Sequence, residues 1–166
     1  MSQENYTRTR QLRWRVQGFT NIQRRKTERM QPGDRLLLYV REPRGFGMTA
    51  TITSAAFQEQ AVIWKNHRQE EVFPYRVRIK PEAVLKEGEY IEALELGPGL
   101  EYVRKWIPEN WPLAFQEELH LFSRRDFDLI EGEIRRILGK SRSRRRPTPR
   151  QPRSDQTAPI LESGAL

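Results

Sequence analysis

The sequence predicts a small α+β domain, with a curled, mostly antiparallel sheet, helices at its periphery and a basic tail after it. Three observations carry that expectation. Short apolar or alternating runs, separated by Gly and Pro, fill the middle of the chain and read as strands. Phe127, Ile130, Ile134 and Ile137 recur at spacings of three and four, the apolar stripe of an amphipathic helix. From Lys140 onward Arg, Ser and Pro replace the apolar residues, and such a segment buries too little apolar surface to offset the cost of ordering its backbone. The expected organisation is therefore one domain over residues 1–139 and a disordered tail over 140–166.

Each element follows from its residues. Residues 3–13 form a short helix, and Asn21 caps a second one that runs through Met30. Pro32-Gly33-Asp34 is a turn that stops it. Arg35-Leu-Leu-Leu-Tyr-Val40 is an apolar run of strand length. Residues 46–56 and 72–79 alternate, the latter starting at or after Pro74, because proline cannot donate to a central ladder. Gly45 and Gly47 are expected in the hairpin turn between the first two of these strands; a phosphate-binding loop would need a third glycine or a Gly-Lys-Ser/Thr ending. Ser123 with Asp126 three residues on resembles a capping box, and Gly139 is placed to end the final helix.

Composition removes whole classes of function. With no cysteine among 166 residues, disulfides, thiolate zinc sites, iron–sulfur clusters and cysteine nucleophiles are excluded. Two histidines, His67 and His120, are too few for a three-histidine metal site, so neither metal nor cofactor is expected. No apolar run approaches the roughly 18 residues of a membrane span, and a cytoplasmic protein without a membrane partner is the expectation. There is no Gly-x-Ser-x-Gly elbow and no His-Glu-x-x-His, and the carboxylates are scattered; the chain reads as a non-enzyme. His67 lies in a charged stretch read as a surface loop, while His120 lies in a segment that reads as an edge or packed strand.

Charge is asymmetric. The formal net charge is +8, and residues 140–166 hold seven basic side chains against two acidic ones. The first 35 residues carry nine basic and three acidic side chains. That is the footprint of a polyanion binder, which fixes affinity for nucleic acid but not base specificity. The aromatic stretch Trp106-Ile-Pro-Glu-Asn-Trp111-Pro-Leu-Ala-Phe115 fits neither a regular helix nor a regular strand. Buried aromatics usually serve the core, yet two tryptophans in a loop beside a basic surface are what base stacking requires, at about 1–3 kcal/mol per base.

Gln17-Gly-Phe with a basic short helix after it, then Met30-Gln-Pro-Gly-Asp-Arg-Leu-Leu-Leu-Tyr-Val40, resembles the start of EVE domains of the small bacterial and archaeal UPF0310 type. Ala50-Thr-Ile-Thr-Ser, Ile63-Trp64, Phe73-Pro-Tyr-Arg-Val-Arg-Ile-Lys-Pro81, Glu101-Tyr-Val-Arg-Lys-Trp106, Asn110-Trp111-Pro-Leu-Ala-Phe-Gln116 and Asp126-Phe-Asp-Leu-Ile-Glu131 follow in the family's order, over about residues 3–138. The resemblance implies a PUA-like pseudo-barrel of mostly antiparallel strands with peripheral helices. It also implies a nucleic-acid partner, DNA or RNA, with a modified base flipped into an aromatic-lined pocket. Carried over by position, the pocket comprises Gln17, Gly18, Phe19, Asn21, Trp111, Phe115 and Gln116. Phe19 and Trp111 or Phe115 would stack, Gln17, Asn21 and Gln116 would read the base edge, and Arg24 and Arg25 would hold flanking phosphates. Relatives carry a further short strand before the segment seen here as Ser2-Gln-Glu-Asn5, and some have Trp where this chain has Gln17. The expectation is either a start that lies upstream or a barrel that lacks a strand. A nonspecific binder driven by the basic surface and tail, or a nucleotide-acting enzyme, are the alternative readings.

Overall fold

The computed structural model describes residues 1–65, 73–115 and 117–143. His67, Gln116 and the tail from residue 144 onward lie outside the described residues, and with them the expectations of a surface histidine, an edge-reading amide and tail disorder.

The chain opens on helix α1 (Gln3–Gln11), where the Ser2 hydroxyl accepts the Asn5 N–H and so caps the first turn. Arg13 and Trp14 take the left-handed conformation and reverse the chain into strand β1 (Val16–Phe19). The expected second helix breaks into a 3₁₀ turn, Asn21–Gln23, and the single turn α2 (Arg24–Thr27). Thr20, not Asn21, holds the cap position, and its hydroxyl donates to Glu118 Oε2 at 2.6 Å instead of capping.

Strands β2 (Arg35–Val40) and β3 (Gly45–Ile52) form an antiparallel hairpin, followed by the short β4 (Phe57–Gln58), the long β5 (Tyr75–Val84) and β6 (Ile91–Glu92). Gly45 and Gly47 lie inside β3 and not in the turn, which is residues 41–44. They are glycines because of close approach: a Cβ on Gly47 would sit 2.2 Å from the Tyr6 hydroxyl. Pro81 lies within β5, beside a register shift between Thr49 and Ala50, which is how the strand continues past a residue that cannot donate.

The sheet order is β1-β5-β3-β2, with β4 on β5 and β6 on β3. β5 serves two ladders. Its first half pairs with β1, Gly18 opposite Arg76 and Phe19 opposite Tyr75, and its second half pairs with β3. The molecule is thus a mixed helix and antiparallel-sheet fold, as expected, but among the described residues no ladder joins β1 to β2, and the sheet does not close into a barrel.

Alternation along β2 divides the core. Leu36, Leu38 and Val40 enter one cluster with Phe19, Ile52, Val77 and Leu119, while Leu37 and Tyr39 face a second cluster with Phe46, Phe115 and α4 (Arg124–Ser143). α4 seats Ile130 and Ile134, both fully buried, each worth about 1.5–3 kcal/mol. Ser123 caps it as expected, its hydroxyl accepting the Asp126 N–H at 3.2 Å. The helix does not end at Gly139 but runs on to Ser143. Asp126, fully buried, accepts the N–H groups of Glu101 and Tyr102, both at 2.8 Å, and ties the 101–104 turn to the helix. The aromatic stretch is 3₁₀-helical over Pro108–Phe115. No helix among the described residues is long and apolar enough to cross a membrane.

Candidate functional site

Because the sheet stays open, a cleft of about 1370 Å³ runs between β1 and β2, bordered by Gln17, Gly18 and Phe19 on one side and by residues 34–39 on the other. One end of its wall is built by α1. Asn5 clamps the main chain of Lys65, its Nδ2 donating to Lys65 O at 2.8 Å and its Oδ1 accepting the Lys65 N–H at 2.9 Å. This fixes Trp64, which is 1% exposed and donates its indole N–H to Thr9 Oγ1 at 2.8 Å. The Trp64 ring lies on Gly18, where a Cβ would meet it at 2.4 Å. Arg76 covers the ring with its guanidinium carbon 5.2 Å from the centroid, and donates to Phe73 O and Ala61 O. Its Nη1 lies 2.7 Å from Glu59 Oε2, in an ion pair off line for a hydrogen bond.

Gln17 is the polar group of this wall. Its side chain is 4% exposed, and Nε2 donates to Gly18 O at 2.9 Å. Thr9 Oγ1 lies 3.4 Å from Gln17 Oε1 but 3.0 Å from Asn5 O. A hydroxyl has one proton, and the shorter contact takes it. Gln17 Oε1, left with only the longer contact, and one Nε2 hydrogen therefore keep hydrogen-bonding capacity, and Phe19, Leu36 and Ile52 line the same cleft.

The opposite wall is aromatic. Phe115 borders the cleft, but its ring stacks on Tyr39 at 5.2 Å and is edged by Phe46 at 5.9 Å, so the core uses its faces. His120 sits beside it with Nδ1 against the Tyr102 hydroxyl at 2.5 Å and Nε2 at 2.9 Å from Glu117 O. Burial pushes the His120 imidazole below its ordinary pKa; Lys26 and the amino terminus push the same way, and Glu117 opposes them. At the rim, burial first and Arg41 second push the Met1 amino group down from 8.0 to about 5.

The sequence-derived residues divide accordingly. Gln17, Gly18, Phe19 and Phe115 are brought together at the cleft. Asn21 is exposed outside it, and Trp111 is packed flat on Gly97, its indole N–H donating to Trp106 O at 3.1 Å. Arg24 and Arg25 are exposed on α2, Arg24 paired with Glu28 at 2.8 Å and 5.7 Å from the Tyr75 ring. Sequence reasoning missed Asn5, Thr9, Trp64 and Arg76 as builders of this wall. Gly18 was the available signal, since a glycine inside a strand marks close approach of another group. Among the described residues no cluster of His, Asp or Glu could hold a metal ion.

The chain is 30% identical over 131 residues to the UPF0310 protein PH1033 of Pyrococcus horikoshii; the match covers 72% of this chain and 86% of that protein. No family model matches.

Proposed function

This chain belongs to the UPF0310 family, and from that premise we propose that it is a non-catalytic, cytoplasmic nucleic-acid-binding module on a PUA-like pseudo-barrel, whose cleft takes up a modified base. The observation that carries the reading is the amide of Gln17, buried at the wall of the cleft with acceptor and donor capacity left over. A buried amide with spare donor and acceptor capacity matches the edge of a heterocyclic base, which offers a complementary donor and acceptor. Phe19 and Phe73 supply apolar surface in the same cleft. The split pairing of β5 supports the pseudo-barrel, because a strand shared by two ladders curls the sheet.

Acidic residues outnumber basic ones along the cleft lining, so a phosphate is disfavoured there and an uncharged base is not. Backbone contacts fall to Arg25 and its neighbours on α2 and to the basic carboxyl end of the chain. The test is fluorescence anisotropy of the full chain against matched DNA and RNA strands, unmodified or singly methylated or hydroxymethylated, at two salt concentrations. A preference for one modification that survives added salt, and that Gln17→Leu reduces by roughly 3–10-fold, the worth of one or two hydrogen bonds, is the expected result. Equal, salt-labile binding across the panel would overturn it in favour of charge-driven, nonspecific binding. Turnover of a nucleoside would overturn the non-catalytic assignment.

A further inference from the structure

Two arginines share one buried carboxylate where α4 meets the sheet. Glu131 of α4, 8% exposed, gathers three donors on a single oxygen. Arg35 Nη2 donates to its Oε1 at 2.7 Å, Thr49 Oγ1 at 2.9 Å and Arg135 Nη2 at 3.1 Å. The two guanidinium groups therefore stand side by side, one carried by β2 and one by α4. One arginine would neutralise Glu131; the second leaves an excess positive charge and a repulsion that an anion placed between them relieves. Both side chains stay accessible, at 39% and 55% exposure, and each gives one of its five N–H groups to Glu131. Arg35 is held further by Phe127, its guanidinium carbon 4.7 Å from the ring centroid.

The charge continues across the sheet. Arg35, Thr51 and Lys80 lie directly opposite one another on β2, β3 and β5. Glu82 Oε1 accepts the Thr51 hydroxyl at 3.0 Å and lies 3.6 Å from Lys80 Nζ. The Thr51 hydroxyl first, then Lys80 and Arg35, hold the Glu82 carboxyl below its ordinary pKa against a small opposing effect of burial. Asp34, beside Arg35 in the chain, accepts the Gln31 N–H at 2.9 Å, and Asp128 pairs with Arg124 at 3.7 Å. Arg35, Lys80 and Arg135 thus outnumber Glu82 and Glu131, and Arg78, exposed two residues back along β5, is in no ion pair among the described residues.

We propose that Arg35 and Arg135, ordered by Glu131, form a clamp for one backbone phosphate of a nucleic acid, with Lys80 beside it. The inference rests on the nucleic-acid reading above and goes beyond it by assigning a defined contact at the junction of α4 and β2. A phosphate there receives the remaining N–H groups of two guanidinium forks, the geometry that sets arginine apart from lysine as a phosphate ligand. A linear polyanion fits better than a free phosphate, because Arg135 is the first of the nine basic side chains in residues 134–154. Arg35 borders the cleft, but Glu131 draws its guanidinium toward α4, and Arg135, Thr51 and Lys80 are not part of the cleft lining. The clamp does not depend on the cleft.

The experiment is fluorescence anisotropy of the full chain with a labelled single-stranded oligonucleotide at several salt concentrations. Arg135→Gln should weaken binding about 3–10-fold at low salt and lower the slope of log affinity against log salt by about 0.7, one phosphate contact. Arg136→Gln makes the same charge change about 100° further around α4, at a residue paired with Glu133 at 2.7 Å, and should leave the slope unchanged. Equal effects of the two substitutions would overturn the clamp and leave nucleic-acid binding in place; no binding of any strand by the unmodified chain would overturn both. A second measurement needs no variant. The Nε–H resonances of Arg35 and Arg135, followed by nitrogen-15 NMR of the unmodified chain, should shift with the oligonucleotide more than that of Arg136. Absence of that shift would overturn the proposal even if Arg135→Gln unfolds the chain. An equal or larger response to poly-glutamate would overturn it in favour of an acidic protein surface.

Discussion

Gly18→Ala perturbs the candidate site at its most crowded point. The new methyl would lie 2.4 Å from one carbon of the Trp64 ring, 2.6 Å from the next and 3.0 Å from Phe73 Cβ. These are not the tips of flexible side chains. The indole is buried, held by Thr9 through its N–H and covered by Arg76. Overpacking of this kind costs about 1–3 kcal/mol. The ring escapes only by turning away from Thr9, which forfeits a hydrogen bond worth about 1 kcal/mol. The combined cost is about 2–4 kcal/mol, and for a domain of this size it lowers Tm by roughly 5–15 °C. The assay is urea and thermal unfolding followed by tryptophan fluorescence and near-UV circular dichroism. Trp64→Leu shortens the clashing side chain, so the double variant Gly18→Ala/Trp64→Leu should be more stable than the two single losses added together, by about 1–2 kcal/mol. A Tm within about 2 °C of the parent for Gly18→Ala, or strict additivity in the cycle, would refute the packing of Trp64 on Gly18.

Two other outcomes follow from the same wall and its surroundings. His120 is held below its unfolded pKa by burial, so its contribution to stability is full above about pH 6.5 and is lost as pH falls below it, when the unfolded chain takes up the proton more readily. The stability difference between the parent and His120→Gln, measured from urea midpoints, should therefore shrink between pH 7.5 and 5.5; a difference independent of pH would count against a buried neutral imidazole. Trp111→Ala should destabilise the chain by about 1–3 kcal/mol, since the half-buried ring packs on Gly97, while leaving any base preference intact. Loss of that preference would return Trp111 to the binding site.

Local patterns carried most of the fold. β2 is legible to the residue because its apolar run is bounded by the Gly33-Asp34 turn, and α4 because its Ile stripe has period 3.6. What failed were decisions made at a distance. Gly45 and Gly47 read as turn residues because glycine signals turns locally; only the approach of Tyr90 and Tyr6, 45 and 41 positions away in the chain, explains them as strand residues. Gly139 was expected to stop α4, but a glycine costs a helix only about 1 kcal/mol, and this one continues to Ser143. The site shows the same division. Gln17, Gly18 and Phe19 were legible as a group because they are contiguous. Asn5 and Lys65, sixty residues apart, meet through hydrogen bonds from the Asn5 side-chain amide to the Lys65 main chain, which no local pattern encodes.

The sign of the cleft decides how its parts would work together. A chain with net charge +8 could bind polyanions anywhere on its surface, yet at this opening Glu4, Asp34, Glu42, Glu117, Glu118 and Asp128 outnumber Arg35, Arg41, Lys65 and Arg124. Lys26 is drawn to Glu117 at 3.6 Å and to Leu119 O at 3.0 Å, and Arg35 to Glu131 at 2.7 Å, so two basic groups near the cleft are already engaged. The opening thus offers a phosphate no basic excess, while at the carboxyl end of α4 and beyond, residues 134–154 hold nine basic side chains and no acidic ones. Affinity and selectivity would then reside in separate places. Salt would weaken attachment through the basic segment, and Gln17 would set the choice of base in a dry wall that screening ions reach poorly. If instead one surface did both, Gln17→Leu would alter the salt dependence of binding as well as its preference. An unchanged salt slope with altered preference is the result that separates the two roles.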